Sequence, residues 1–196
     1  IHIVIIEIFG ARIYNKRKKR IIIVNIGNHL SNNYNYNYNY INLEQMASLT
    51  KKINYYQTWK ENIKRSIGKS RKVRGGNYVQ IATVDANNNP RNRTVVFRGW
   101  LPLNNGKEAM KMITDSRSEK VKHIQLNNKC EMVWWFSKSS EQYRIFGELE
   151  TIGEENTNQD LLIARKQQWG NLSDSAREQF YWTTPGIKYT EVDDES

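Results

Sequence analysis

"NYVQIATVDANNNPRNRTVVFRGW", residues 77 to 100, decides how this chain is read. Its first arm alternates and is rich in Val, Ile, Thr and Tyr, the pattern of a half-buried strand. The turn signal "NNNP" follows, and "RNRTVVFRGW" resumes the β character, so a hairpin is expected. The second arm is unusual. Arg91, Arg93 and Arg98 stand in a β-branched apolar run, where neutral polar residues would ordinarily occupy the wet face.

Working outward, "EAMKMIT" (Glu108 to Thr114) reads as a further strand leading into "DSRSEKVKHIQLN". In the latter, Val121 and Ile124 give a short helix its buried side and Asp115 or Ser116 is a candidate cap. "CEMVWWFS" and "QYRIFGELETI", separated by the polar turn "KSSE", form a second hairpin pattern. Upstream, Trp59, Ile63 and Ile67 are spaced as one stripe of an amphipathic helix ending near Gly68, with Lys60, Lys64 and Arg65 outside the stripe. The C-terminal third reads as helical through Leu161, Leu162, Arg165 and Trp169 and again through "SDSAREQFYW", broken by Pro185-Gly186. Five strands interrupted by short helices predict a mainly β, α+β architecture: an antiparallel barrel or strongly curled sheet with helices at its ends. Strands do not alternate with long helices and no GxGxxG follows a strand, which argues against a dinucleotide-binding parallel sheet.

The first 45 residues look different. Short Ile/Val runs flank "KRKKR" and give way to "NNYNYNYNY", a low-complexity tract. No packed element is expected there. Residues 1–45 read as a disordered leader or as sequence outside the native chain, with Met46 as the expected start. Nuclear import or nucleic-acid contact is the rival reading of the basic run. Residues 46–187 form the expected folded domain and 188–196 an acidic tail, with the possibility of truncation there. The apolar runs are too short to span a bilayer, and no targeting signal is recognisable, so the default location is soluble, intracellular and cytoplasmic.

A single cysteine, Cys130, excludes an internal disulfide framework, and the three histidines have no metal-ligand spacing. Metal chemistry is not expected. "GKS" at Gly68 to Ser70 lacks the first glycine of a phosphate loop, the sequons at Asn92 and Asn171 have no secretory context, and His123 reads as a solvated helix residue rather than part of a triad. The net charge of +10 favours anionic partners. Residues 1 to 45 contribute an excess of four cations, leaving six for the rest.

One constellation survives, an anion site assembled from two places. Arg93 and Arg98 lie on one strand, while Thr114, Arg117, Ser118 and Lys120 lie where a strand meets a helix N-terminus, a junction that offers free backbone N–H groups, hydroxyls and cations to a phosphate. The plain alternative is a solvated charged turn beside a basic strand face.

Taken together and in order, "RTVVFRGW", "TDSRSEK" and "EMVWWFSKSSEQYRIFG" resemble the flavin mononucleotide (FMN)-binding split barrel of the pyridoxamine 5′-phosphate oxidase family, in particular its oxidase-related branch. The resemblance runs from about Trp59 to Pro185 and implies a homodimer with FMN in clefts at the subunit interface. It implies that Arg93 lies near the flavin phosphate and that the strand through Thr94, Val95, Val96 and Arg98 runs alongside the cofactor. Arg98 stands where the oxidases commonly have lysine. Thr114 and Ser118 match small hydroxyl positions, Lys120 a phosphate-contacting lysine and Gln142 a glutamine at the isoalloxazine edge. Glu119 replaces the family's usual arginine, and Arg117 is the candidate substitute. Arg93 and Arg98 are an odd number of positions apart, so an unbroken strand would send them to opposite faces. Either the strand bulges or ends between them, or one serves the partner's cofactor.

The resemblance thus implies an FMN-dependent oxidoreductase of unknown substrate, with no catalytic residue assigned. The C-terminal flavin- and substrate-facing stretch of the oxidases has no recognisable counterpart, while Arg177 or Trp182 either borders a substrate pocket or serves, as helix residues do, as a packing or surface position. The competing function is a basic nucleic-acid-binding module without cofactor. Against it stand the modest charge of the folded part and the expectation that "WWF" fills the core. No membrane partner is expected.

Overall fold

The computed structural model describes residues 2–15, 20–25 and 59–187; the Asn-Tyr tract, the body of the basic run and the acidic tail lie outside them. Eight strands and four helices are described: β1 (His2–Asn15), β2 (Arg20–Asn25), α1 (59–70), β3 (Tyr78–Val84), β4 (Pro90–Val96), β5 (Trp100–Pro102), β6 (Glu108–Thr114), α2 (Glu119–Leu126), β7 (Lys129–Phe136), β8 (Glu141–Ile152), α3 (Gln159–Gly170) and α4 (Asp174–Glu178). Every strand pairing is antiparallel, in the order β4-β3-β7-β8-β1-β6-β5, with β2 paired to β1.

Both expected hairpins form. In β3–β4, Ile81 lies opposite Arg93 and Tyr78 opposite Val96, and in β7–β8 Trp134 lies opposite Tyr143. The two ends of the sheet, β4 and β5, are joined by three residues that turn back onto β6. Arg98 N–H donates to Lys111 O at 2.8 Å, and Lys111 N–H to Gly99 O at 2.9 Å. Gly99 holds φ at +111°, a conformation that side chains rarely adopt, so this link curls the sheet onto itself. The inner face carries Val79, Ile81, Met110, Met112, Met132, Trp134, Phe136 and Tyr143, and α1 closes the interior with Trp59 and Ile63.

His2–Asn15 corrects the expectation that residues 1–45 contain no packed element. This segment is a strand between β6 and β8 in the middle of the sheet. Val4, Ile6 and Ile8 join the inner core, while Ile3 and Ile5 join a second cluster with Ala109 and Ile152, against which Leu161 of α3 packs. A strand buried on both faces reads as a continuous apolar run rather than an alternation, and that is why "IHIVIIEI" carries no strand signature of the half-buried kind. Its neighbour β8 provides the space: a Cβ on Gly147 would collide with the backbone carbonyl of Glu7. Burying five aliphatic side chains at about 1.5–3 kcal/mol each contributes on the order of 10 kcal/mol, comparable to the net stability of a whole domain.

Smaller differences have similar causes. Alternation sends Trp134 and Phe136 inward but leaves Trp135 on the outer face, 46% exposed, so "WWF" fills the core only in part. Neither Asp115 nor Ser116 occupies the N-cap of α2; Ser118 does, without a side-chain cap bond, because its hydroxyl is engaged elsewhere. No helix among the described residues is long and apolar enough to cross a membrane.

A two-cation cradle between β4 and the start of α2

Arg93 points from β4 to the inner side of the curled sheet, and Lys120 reaches the same place from the first turn of α2. Both line one narrow crevice of about 10 Å³, room for a single water, together with Val95, Thr114, Thr83 and Val4. The cluster is tightly bonded. Lys120 Nζ donates to Thr114 Oγ1 at 2.8 Å and to Ser118 Oγ at 3.0 Å, and those two hydroxyls lie 3.0 Å apart. Arg93 Nη1 donates to Thr83 Oγ1 at 2.7 Å.

Neither cation has an acidic partner within ion-pair distance among the described residues. Burial lowers the pKa of Lys120, and the positive charge of Arg93 lowers it further, opposed only by Asp115. Burial likewise lowers Arg93, followed by Arg91, with Glu119 opposing. Two partly desolvated cations that repel one another, with hydroxyls between them and no carboxylate bonded to either, form a site whose electrostatics favour an added anion. The donor set of guanidinium, ammonium and hydroxyls fits a phosphate monoester.

The other sequence-predicted residues are distributed differently. β4 ends at Val96, so Arg98 lies beyond the strand, exposed, which resolves the odd spacing; it does not line the cavity. Thr94, Val96 and Gln142 lie on the outer face of the sheet, Thr94 opposite Gln80 and Gln142 opposite Trp135. Arg117 forms a salt bridge with Asp115 at 2.6 Å and donates to Phe180 O at 3.1 Å, so its charge is already engaged. The sequence-based suggestion that Arg177 borders a pocket is not supported. Its guanidinium donates to Leu172 O at 2.7 Å and pairs with Asp174 at 3.2 Å, closing the α3–α4 turn. Trp182 is 61% exposed and lines neither this cavity nor the larger recess described next.

Two residues of the site were not legible in the sequence. His123 is buried, not solvated, and its Nδ1 lies 3.0 Å from Thr83 Oγ1 and 3.5 Å from Arg93 Nη2. Thr83 is 2% exposed on the inner face of β3. The available signal was positional: Thr83 follows Val79 and Ile81 at two-residue spacing, which puts a hydroxyl among core residues. A larger recess of about 670 Å³, lined by Glu7, Glu148, Glu150 and Asp160 among others, contains none of the predicted cofactor residues.

An antiparallel curled sheet with two cations gathered at a strand–helix junction defines the class as a mainly β, barrel-like fold with a candidate anion site. Comparison with known proteins names the family. Residues 56–153 match the family model described as "Pyridoxamine 5'-phosphate oxidase, FMN-binding domain", and the chain belongs to that family. It is 35% identical over 128 residues to pyridoxine/pyridoxamine 5'-phosphate oxidase 2 of Arabidopsis thaliana, covering 65% of this chain and 63% of that protein. The chain thus spans just under two thirds of the length of that relative. A crystal structure of a pyridoxamine 5'-phosphate oxidase-related, FMN binding protein from Nostoc punctiforme PCC 73102 is 39% identical and superposes with a TM-score of 0.62 over 67% of each chain. The central strand β1 lies outside the segment matched by the family model.

Proposed function

We propose that this chain is an FMN-dependent oxidoreductase that grips the phosphate of its cofactor with Arg93 and Lys120. The observation that carries the reading is the pair itself: two partly buried cations without a bonded carboxylate, facing one cavity. FMN, when bound, supplies the redox chemistry of its flavin ring. The chain's own residues position it. Arg93 and Lys120 neutralise the phosphoryl charge, Thr114 turns its hydroxyl proton to the phosphate, Ser118 holds the Lys120 ammonium in place by accepting from it, and Val95 gives the inner strand an apolar edge.

The outer-face residues Thr94, Val96 and Gln142 act in this reading from the sheet surface that also carries Tyr78 and Trp135, 48% and 46% exposed. Such a half-apolar face supports the homodimer that the family resemblance implies, with the flavin ring between protomers and Gln142 at its edge. Substrate would approach the ring there. Nucleic-acid binding is disfavoured because Arg93 and Lys120 open into a recess rather than a face that a polymer backbone could follow.

The test is titration of the full chain with FMN and with riboflavin, followed by flavin fluorescence, together with mass identification of any ligand released on denaturation. FMN is expected to bind about tenfold or more tightly than riboflavin, as charge-assisted hydrogen bonds to the phosphate require. A chain that binds neither flavin would overturn the reading.

A further inference from the structure

We propose that Thr83 and His123 are positioning residues that aim the Arg93 guanidinium into the cradle; the inference rests on the reading of Arg93 as a phosphate ligand. Thr83 has one hydroxyl proton and two acceptor lone pairs. Arg93 Nη1 donates to that hydroxyl at 2.7 Å, so the hydroxyl proton is free to go to His123 Nδ1, 3.0 Å away. This requires Nδ1 to carry a lone pair and the ring proton to sit on Nε2. Arg93 Nη2, 3.5 Å from the same nitrogen, makes the same demand, because a guanidinium only donates. Thr83, with a second lone pair, would accept from an Nδ1–H equally well, so it is the guanidinium that selects the tautomer of this buried imidazole, and the Thr83 proton then turns to Nδ1.

The consequence for Arg93 is directional. Nη1 is held by Thr83 and leans toward Ile81 O at 3.4 Å, while Nη2 faces His123. The Nε–H and the second Nη2–H have no acceptor among the described residues and remain for a ligand in the cavity that Arg93 and Thr83 both line. An arginine side chain without this brace would lose little by swinging toward solvent, since its long stem carries high rotamer entropy. β3 and α2 thus orient a cation that belongs to β4.

The experiment compares FMN and riboflavin affinities of the full chain across a small set of variants. The ratio isolates the phosphate contribution, which a merely structural role would not move. Thr83→Val, which removes the hydroxyl at nearly constant shape, is expected to lower the preference for FMN over riboflavin by about tenfold. Riboflavin affinity should not change, and Thr83→Ser should restore the preference. His123→Leu, which removes the acceptor from the other end of the relay, is expected to give the same selective loss and serves if the valine variant fails to fold. Equal loss of both flavins in these variants, or an unchanged preference in both while Arg93→Ala abolishes it, overturns the positioning role. An unchanged preference in Arg93→Ala itself overturns the underlying reading of Arg93 and is recognised separately.

Discussion

Lys120 Nζ donates to Thr114 Oγ1 across 2.8 Å, fastening the first turn of α2 to the last residue of β6. The bond places a partly buried ammonium beside neutral hydroxyls rather than beside an acid, and Arg93 disfavours its charge further. A site of this kind stores electrostatic cost in the free protein and recovers it when an anion binds.

Lys120→Met should therefore separate stability from binding. Removing an uncompensated, desolvated charge is expected to raise the melting temperature of the flavin-free protein by roughly 2–4 °C, the shift that corresponds to about 1 kcal/mol at this size. FMN affinity should fall about tenfold or more. Differential scanning calorimetry and flavin titration of the same preparation check both; a variant that is less stable and binds FMN normally would refute the assignment.

His123 gives the stability a pH dependence. Burial, reinforced by Arg93, lowers its pKa from 6.5; Arg91 acts in the same direction, and Glu119 and Asp85 oppose. A histidine with a lowered folded-state pKa favours the neutral ring in the native state. Its contribution is thus fully present above the unfolded value and is lost as pH falls from 6.5 through the folded value. Thermal unfolding of the flavin-free chain from pH 8 to about pH 5 should show a decline that is shallower in His123→Asn, which cannot titrate.

Strand β1 is the largest structural commitment outside the family match. Deleting residues 1–45 would remove five buried aliphatic side chains, a loss on the order of 10 kcal/mol. The chain beginning at Met46 is expected to show no cooperative unfolding transition. Gly147→Ala should reproduce part of that loss, because its Cβ would meet the Glu7 carbonyl. Circular dichroism melts of the two variants check this. A well-folded chain from Met46 would mean that β1 is dispensable.

The outer face of β7 tests the proposed homodimer. Trp135 is exposed beside Gln142, so replacing it with a charge should leave each protomer folded. Trp135→Glu is expected to yield a monomer in sedimentation and to weaken FMN binding, if the flavin ring lies between protomers.

Much of the architecture was legible because it is local. The β3–β4 and β7–β8 hairpins announce themselves through two-residue alternation bounded by Asn, Ser and Pro turns, and Glu108–Thr114 was delimited by its pattern alone. What was missed is non-local. Ile3 to Ile8 read as an unstructured apolar run because both faces of β1 are covered, one by the barrel interior and one by the cluster beneath α3. Of the candidate site, Arg93, Thr114, Ser118 and Lys120 were singled out through residue type and spacing, and the fold brings these four side chains together. Arg98 fell outside because β4 stops two residues before it, and His123 was misplaced because a Lys-rich helix conceals which of its faces meets β3.

The central claim is that Arg93 and Lys120 together hold a phosphoryl group. Its most direct test is the affinity of the full chain for FMN relative to riboflavin in the wild type, in Arg93→Ala and in Lys120→Met. The account predicts a strong preference for FMN that each substitution reduces about tenfold or more while riboflavin binding stays level. A wild-type protein that binds the two flavins equally, or variants that keep the full preference, would contradict it.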